Sequence, residues 1–362
     1  MGAAATFFST MNEVEEEFPL TCVPAASKCA CWRFIGSLLM FSTLAGCRSG
    51  PSHPPTFDDF RRAIREDATH TNLDAQVAIF AAAQLSNKEM QRFLTRGSVE
   101  ELVGAGTQAP MTDPLGRTLL QHATERSPAA PMVWAALAYR DMSLLQNQEA
   151  GIETIADELT TAINRWRSLE PTNAAPWYLE AAFQCLRTNV ASAKQLMAEA
   201  DRKEGFEPCS LAIQKCVIRA MESARRSKYI ARLYAMGQVV GVVGWSKLSK
   251  TILAESSEDQ QAIRSCFVLG ARVGLGKSFL EQLIGDSIQT KAIEKLSGAD
   301  FAAERARISE RKARIRRATA YNTSLDTRKF SEERWVRFLD TCFDKGEMTA
   351  VESMAADNGD TF

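Results

Sequence analysis

The sequence predicts an all-α protein, and three observations carry that expectation. Apolar residues recur every three or four positions through most of the chain, as in Ile152, Ile155, Leu159, Ile163 and Trp166, which therefore share one helix face. Alternation with period two, the mark of a half-buried strand, is hard to find. Gly97, Pro128, Pro171, Gly205 and Gly346 stand where periodic stretches end, as helix stops should. A chain of 362 residues with 45% hydrophobic side chains, 12 prolines and 20 glycines is globular in composition, not disordered.

Taken in chain order, the first informative segment is an apolar run. Lys28 and Arg33 precede Phe34–Leu44, which holds no charge and is followed by Ala45, Gly46 and Cys47. Charged start and apolar middle are those of an export signal, and the run falls short of the about 20 residues that span a bilayer. The order Leu44-Ala45-Gly46-Cys47 resembles the lipobox of bacterial lipoproteins. That resemblance implies a diacylglyceryl group on the thiol of Cys47, cleavage before it, and a mature chain beginning at Cys47. It places the protein in the bacterial cell envelope, and Arg48, where inner-membrane members often carry Asp, implies the periplasmic face of the outer membrane.

Residues 48–56 (RSGPSHPPT) suit a tether, because Pro, Gly and Ser keep a segment extended and unpacked. The expected organisation is an export segment over 1–46, a lipidated cysteine and tether over 47–56, a helical-repeat domain over 57–320 and a C-terminal helical pair over 329–362. Residues 47–362 carry 41 cations and 40 anions, a balance that gives no general attraction to nucleic acid. No uncharged apolar run long enough for a second span follows Cys47.

Five cysteines follow Cys47, at 185, 209, 216, 266 and 342, so at least one has no partner for a disulfide. Cys209 and Cys216 on one helix would have Cα atoms about 10.5 Å apart. That exceeds the roughly 7 Å a disulfide tolerates, so both are expected as buried thiols.

Within the folded part, Leu73, Val77, Phe80 and Ala83 share a helix face, as do Trp134, Leu137, Ala138 and Met142. Asp58-Asp59 and Glu100-Glu101 are expected as exposed pairs at helix starts, where carboxylates complement the helix dipole. Two segments look alike: Pro128 to Trp134 and Pro171 to Trp177 each place Trp six residues after Pro, with Ala138 or Ala181 four further on. A later Glu207-Pro208 echoes Glu170-Pro171, and the Pro spacings of 43 and 37 suit stacked helix pairs.

From Ala174 to Glu207 the chain resembles a tetratricopeptide repeat, with Trp177 and Ala181 on the first helix and Ala193, Met197 and Ala200 on the second. Glu180 and Gln184 depart from the pattern, where Leu and an aromatic are usual, and Pro208 comes three residues late. The resemblance implies an array of antiparallel helix pairs over about 130–210, with Trp177 and Met197 filling the groove within one pair. It also implies a protein or peptide partner.

Residues 233–245 (LYAMGQVVGVVGW) are uncharged but too short to span a membrane, and read as a buried helix or one ending at Gly241. Ala271–Ser278 fits a phosphate loop with Ala in place of the first glycine. Such a loop cradles phosphate on its backbone N–H groups and should follow a buried parallel strand, whereas residues 259–272 read as helix. Gly274 and Gly276 are therefore expected to turn between helices, with Lys277 and Ser278 in the next first turn. Residues 302–318 carry seven cations and two anions. They read as a solvated helix with pairs such as Glu310–Arg314, or else as a basic face for anionic lipid or an acidic partner. Ser331 should cap a last long helix with Trp335, Phe338 and Leu339 inward, before Gly346 turns into a short one.

No hydrolase, zinc-protease or calcium-loop pattern occurs, and only His70 and His122 lie in the folded part. No metal or other cofactor is expected, and no catalytic residue. The expected role is a membrane-anchored, non-catalytic interaction module of the cell envelope. The alternatives are a ligand-binding lipoprotein with a pocket lined by Trp177 or Trp245, and a nucleotide-binding enzyme using Ala271–Ser278.

Residues 1–27 fit the export signal poorly, because Glu13, Glu15, Glu16 and Glu17 stand where cations belong. Translation is expected to start near Val23 or Ser27. Mass spectrometry of cells should find no peptide from residues 1–22, and finding one would refute the later start.

Overall fold

The all-α expectation holds. The computed structural model describes residues 54–70, 74–110, 113–146, 152–237, 242–256, 258–297, 301–325 and 330–360, and no strand occurs among the described residues. The helices are α1 (Phe57–His70), α2 (Asp74–Ala83), α3 (Asn87–Arg96), α4 (Val99–Gln108), α5 (Pro114–Arg126) and α6 (Pro131–Gln146). They continue with α7 (Ile152–Leu169), α8 (Ala175–Leu186), α9 (Val190–Asp201), α10 (Ser210–Ser223), α11 (Lys228–Met236) and α12 (Val242–Glu255). The last five are α13 (Gln260–Val273), α14 (Phe279–Lys295), α15 (Ala302–Ser324), α16 (Glu332–Lys345) and α17 (Glu347–Asn358).

Helix starts follow local chemistry. Ser86, Ser98 and Ser278 each accept a hydrogen bond from the backbone N–H three residues on, while Glu89, Glu101 and Glu281 reach back. These capping boxes satisfy N–H groups that have no partner inside the helix. Thr56 and Asp59 make the same exchange at α1, and Asp59 is buried by it. That corrects the expectation that Asp59 is exposed.

Residues 233–245 do not form one helix. α11 stops at Met236 with Gly237 as its C-cap, α12 starts at Val242, and Gly241 lies outside the described residues. No described helix is long and apolar enough to cross a membrane.

The chain divides into two compact units, each assembled from segments far apart in sequence. The first comprises the described residues up to Glu149, within Leu211–Gln238 and within Asn322–Asp340. An aromatic cluster joins its pieces: Phe60 meets Phe80 and Tyr229, and Tyr229 meets Phe57 and Trp335 at centroid distances of 4.8–6.3 Å. Arg140, almost wholly buried, donates to the carbonyls of Gly106, Ala109, Pro110 and Asp113, closing the end of α4. Beside it the fully buried Asp141 takes a two-pronged bond from Arg117 at 2.8 and 3.1 Å. Burial pushes its carboxyl above the ordinary range although Arg117 pulls it down. Arg226 likewise donates to the carbonyls of Ala83, Gln84 and Ala224 and pairs with Glu89.

The second unit comprises Ala150–Ser210, Val239–Tyr321 and Thr341–Phe362. α8 and α9 pack on each other across a three-residue connection, with Ala181, Ala193, Met197 and Ala200 wholly buried. Tyr178, and not Trp177, fills the interior, and its hydroxyl donates to Asp201 at 2.7 Å. Asp201 also accepts from Ser265 on α13. Arg272 donates to the carbonyls of Ala200, Asp201 and Lys203, closing the end of α9. The loops before α8 and after α9 are tied together, because Asn173 bonds both backbone groups of Glu207.

Glycines set the closest approaches within each unit. A Cβ on Gly104 would lie 2.0 Å from the carbonyl oxygen of Cys216, so α4 and α10 touch backbone to backbone. A Cβ on Gly285 would lie 2.3 Å from the nitrogen of Gly274, fixing the crossing of α13 and α14. Since rigid backbone must move to admit even a methyl group, Gly104→Ala should cost about 1–3 kcal/mol of unfolding free energy. Urea denaturation checks this, and a variant as stable as its parent would contradict the close crossing.

Candidate functional site

The phosphate-loop-like segment is the one motif whose geometry decides between functions. α13 leads into it, so a helix stands where a parallel strand is required. Most of its backbone donors already have partners. The N–H groups of Gly274, Leu275 and Gly276 donate to Gly270, Arg272 and Val273 at 2.9, 3.2 and 2.9 Å. That of Ser278 donates to Glu281 at 3.0 Å, and that of Phe279 to Glu347 at 3.2 Å. The Lys277 ammonium donates to the carbonyls of Asp344 and Phe343 at 2.8 and 3.3 Å, closing the end of α16. Leu275, at the tip of the turn, is 76% exposed. The expected inter-helix turn is therefore observed, with Ser278 as N-cap just ahead of α14.

What the turn holds is the C-terminal helix pair. The N–H of Glu347 donates to the carbonyl of Lys277 at 3.0 Å, while the Glu347 carboxyl takes the N–H of Phe279. Gly346 between them has φ +96°, a conformation that glycine alone adopts without strain. Burial raises the Glu347 carboxyl to about 7, even though the Phe279 N–H pulls it down, and Glu281 adds to the rise. As expected, Ser331 caps α16, and Trp335, Phe338 and Leu339 point inward.

Within the basic helix α15, Arg307 pairs with Glu304 as an internal pair, but the expected Glu310–Arg314 pair does not form. Arg314 pairs with Glu352 of α17 in place of Glu310, and Arg311 grips the fully buried Asp286 of α14. Ile308, Ile315 and Ala318 form its buried seam. Arg305, Arg307, Arg314, Arg316 and Arg317 are exposed.

Trp177 is half-buried, with the Arg167 guanidinium 3.8 Å and the Lys203 ammonium 4.7 Å from its ring centre. Trp245 is buried against Phe206 at 6.0 Å. All five described cysteines are free. Cys209 lies just before α10 in a left-handed conformation and not on the helix with Cys216. Burial raises the thiols, Cys185 to about 11 and Cys216 and Cys266 to about 12, so little thiolate forms at neutral pH. No group of acids, His or Cys among the described residues could hold a metal ion. The exposed His122 faces Glu125 at 2.9 Å. Cys47 and its neighbours lie outside the described residues.

Sequence reasoning missed the groups with the strongest local roles: Arg140, Arg272 and Glu347. Nothing in their immediate neighbours marks them, since each binds backbone or helix ends distant in the chain. No family model matches the chain, and no curated protein or solved structure is significantly similar to it.

A carboxyl raised from 4.5 to about 7 by folding stabilises the fold fully below pH 4.5 and loses that contribution as pH rises through 7. Glu347→Gln should lack this dependence. In denaturant titrations the stability difference between parent and variant should shift against the parent as pH rises from about 5 to 7.5. A difference that stays constant with pH would show that Glu347 does not titrate there.

Proposed function

We propose that the protein is a lipid-anchored lipoprotein of the bacterial cell envelope that works as a non-catalytic helical interaction module. One observation carries the reading: the uncharged run Phe34–Leu44, behind two cations, ends on Leu44-Ala45-Gly46-Cys47. Acylation at Cys47 would hold a folded domain at the membrane surface through the Pro-rich segment 48–56, since several acyl chains bind far more firmly than one.

The module reading draws support from the way helices are used. The α8–α9 hairpin buries small residues at its close approach and leaves Trp177 half-buried, and arrays of such pairs bind peptides along their surfaces. The fittest candidate for chemistry, Ala271–Ser278, has its lysine and most of its N–H groups engaged in internal bonds. Partners are therefore proteins or peptides of the envelope, and the membrane itself through the lipid.

Two measurements test the proposal. Cys47→Ser should move the protein from the membrane fraction to the soluble or precursor pool, and equal fractionation of parent and variant would end the lipid reading. Parent and Lys277→Ala should alike show no saturable binding of ATP or GTP in equilibrium dialysis. Binding that Lys277→Ala abolishes would restore the nucleotide reading.

A further inference from the structure

The two alike segments of the sequence part at their tryptophans. The indole N–H of Trp134 donates to the carbonyl of Pro128 at 2.8 Å, and that of Trp166 donates to Glu170 at the same distance. The indole N–H of Trp177, six residues after Pro171, is shielded from solvent yet has no partner among the described residues. The Nε–H of Arg167, whose guanidinium lies 3.8 Å from the centre of the Trp177 ring, is shielded and unpaired in the same way. A covered donor without a partner forfeits the hydrogen bond it had in water, so two of them in one cluster call for an acceptor.

Charge in this cluster is unbalanced as well. Lys203 sets its ammonium 4.7 Å from the same ring centre, so two cations share one indole. Glu180 pairs with Arg167, whereas Lys203 has no ion pair among the described residues. Glu180 stands where the repeat pattern usually has Leu, and it is this departure that holds Arg167 at the ring. The frame around the cluster is fixed. The N–H of Ala174 donates to the carbonyl of Gly205 at 2.8 Å, the N–H of Gly205 to that of Thr172 at 3.0 Å, and Arg272 binds the Lys203 carbonyl.

We propose that Arg167, Trp177 and Lys203 form a binding site for a carboxylate of a partner peptide. Indole, guanidinium and ammonium groups only donate, so the ligand must accept, and the surplus cation requires it to be an anion. A carboxylate accepts only, and its two oxygens match the two unpaired N–H groups. A phosphate, with a third acceptor oxygen and more charge, asks for more donors than the cluster has to spare. All three side chains are half-buried, so the cluster reaches the surface while its two unpaired donors stay covered. Entry therefore needs a side chain to shift, and Lys203, with its flexible stem and no ion pair, is the least restrained. The backbone clasp means that little else has to be ordered when a ligand binds.

The test follows the indole N–H resonances of the nitrogen-15-labelled full-length chain, which has only 6 tryptophans, with Trp177→Phe identifying the one concerned. The probe is the blocked tripeptide acetyl-Gly-Glu-Gly-amide, which carries a single carboxylate, and its neutral counterpart is acetyl-Gly-Gln-Gly-amide. The Glu peptide should move the Trp177 resonance downfield in a saturable way, as an N–H gaining an acceptor does, and the Gln peptide should leave it in place. Lys203→Gln should weaken the Glu peptide about tenfold, the loss of one charge-assisted hydrogen bond, while Lys203→Arg should retain most of the binding. Arg317→Gln, which removes an exposed cation of α15, should change it less than about twofold.

A Trp177 resonance that stays in place, equal movement with both peptides, or equal loss in Lys203→Gln and Arg317→Gln would overturn the proposal. Movement with a phosphoserine tripeptide but not with the Glu peptide would assign the donors to a phosphate, and also overturn it. That the carboxylate belongs to a peptide rests on the interaction-module reading, but the titration needs neither an envelope partner nor the lipid. Its failure therefore strikes this site alone, whereas failure of the fractionation or nucleotide test strikes that reading and leaves the site to be judged by itself.

Discussion

Helix ends are the constraint on which the rest of this structure depends. Each helix leaves its last four carbonyls without partners inside the helix, and a packed all-α protein must satisfy them or lose the hydrogen-bond energy of each buried group. Here a cation from another element repeatedly does so. Arg140 closes α4, Arg272 closes α9, Lys277 closes α16, and Lys295 donates to Leu253 near the end of α12. A guanidinium is fitted for this because its donors fan out in one plane and reach several carbonyls at once. Charge-assisted bonds also complement the negative pole of the helix dipole. Each such bond joins elements that local sequence does not join, so the unit holds its shape through few groups with many partners.

The same device explains why a familiar motif has an unfamiliar role. Glycine, lysine and serine at phosphate-loop spacing occur at 274–278, yet the lysine, the serine and most of the N–H groups that would serve a phosphate serve the fold. Gly274 lies under Gly285 at the helix crossing, Lys277 caps α16, and Ser278 starts α14. Spacing alone does not fix chemistry, because the N–H groups of a turn can bond the preceding helix as readily as an anion. The exposed Leu275 stands at the tip of this turn.

Buried ionisable groups in the second unit point the same way. The thiols of Cys266 and Cys342 and the carboxyl of Glu347 are all held toward their uncharged forms by burial. Asp286 stays in reach of a guanidinium, and Asp201 in reach of a phenol and an alcohol. These are arrangements that fix a packing, since each polar group is matched to one partner geometry.

By itself the sequence determined the helices and most of their boundaries. Periodicity along 152–166 and the stops at Gly97, Pro128 and Gly346 are local, and so are the Ser–Glu capping boxes, because each works within one turn of the chain. The proposed acyl site at Cys47 is likewise read from sequence alone. Tertiary structure decided what each polar side chain does. Tyr178 and not Trp177 entered the α8–α9 interior, Asp59 was buried by its cap, and Arg314 chose Glu352 over Glu310. The division into units built from distant segments was decided at the same level. The physical reason is range: a helix is specified by bonds four residues apart, whereas a carbonyl cap or a buried pair is specified by whatever folds against it.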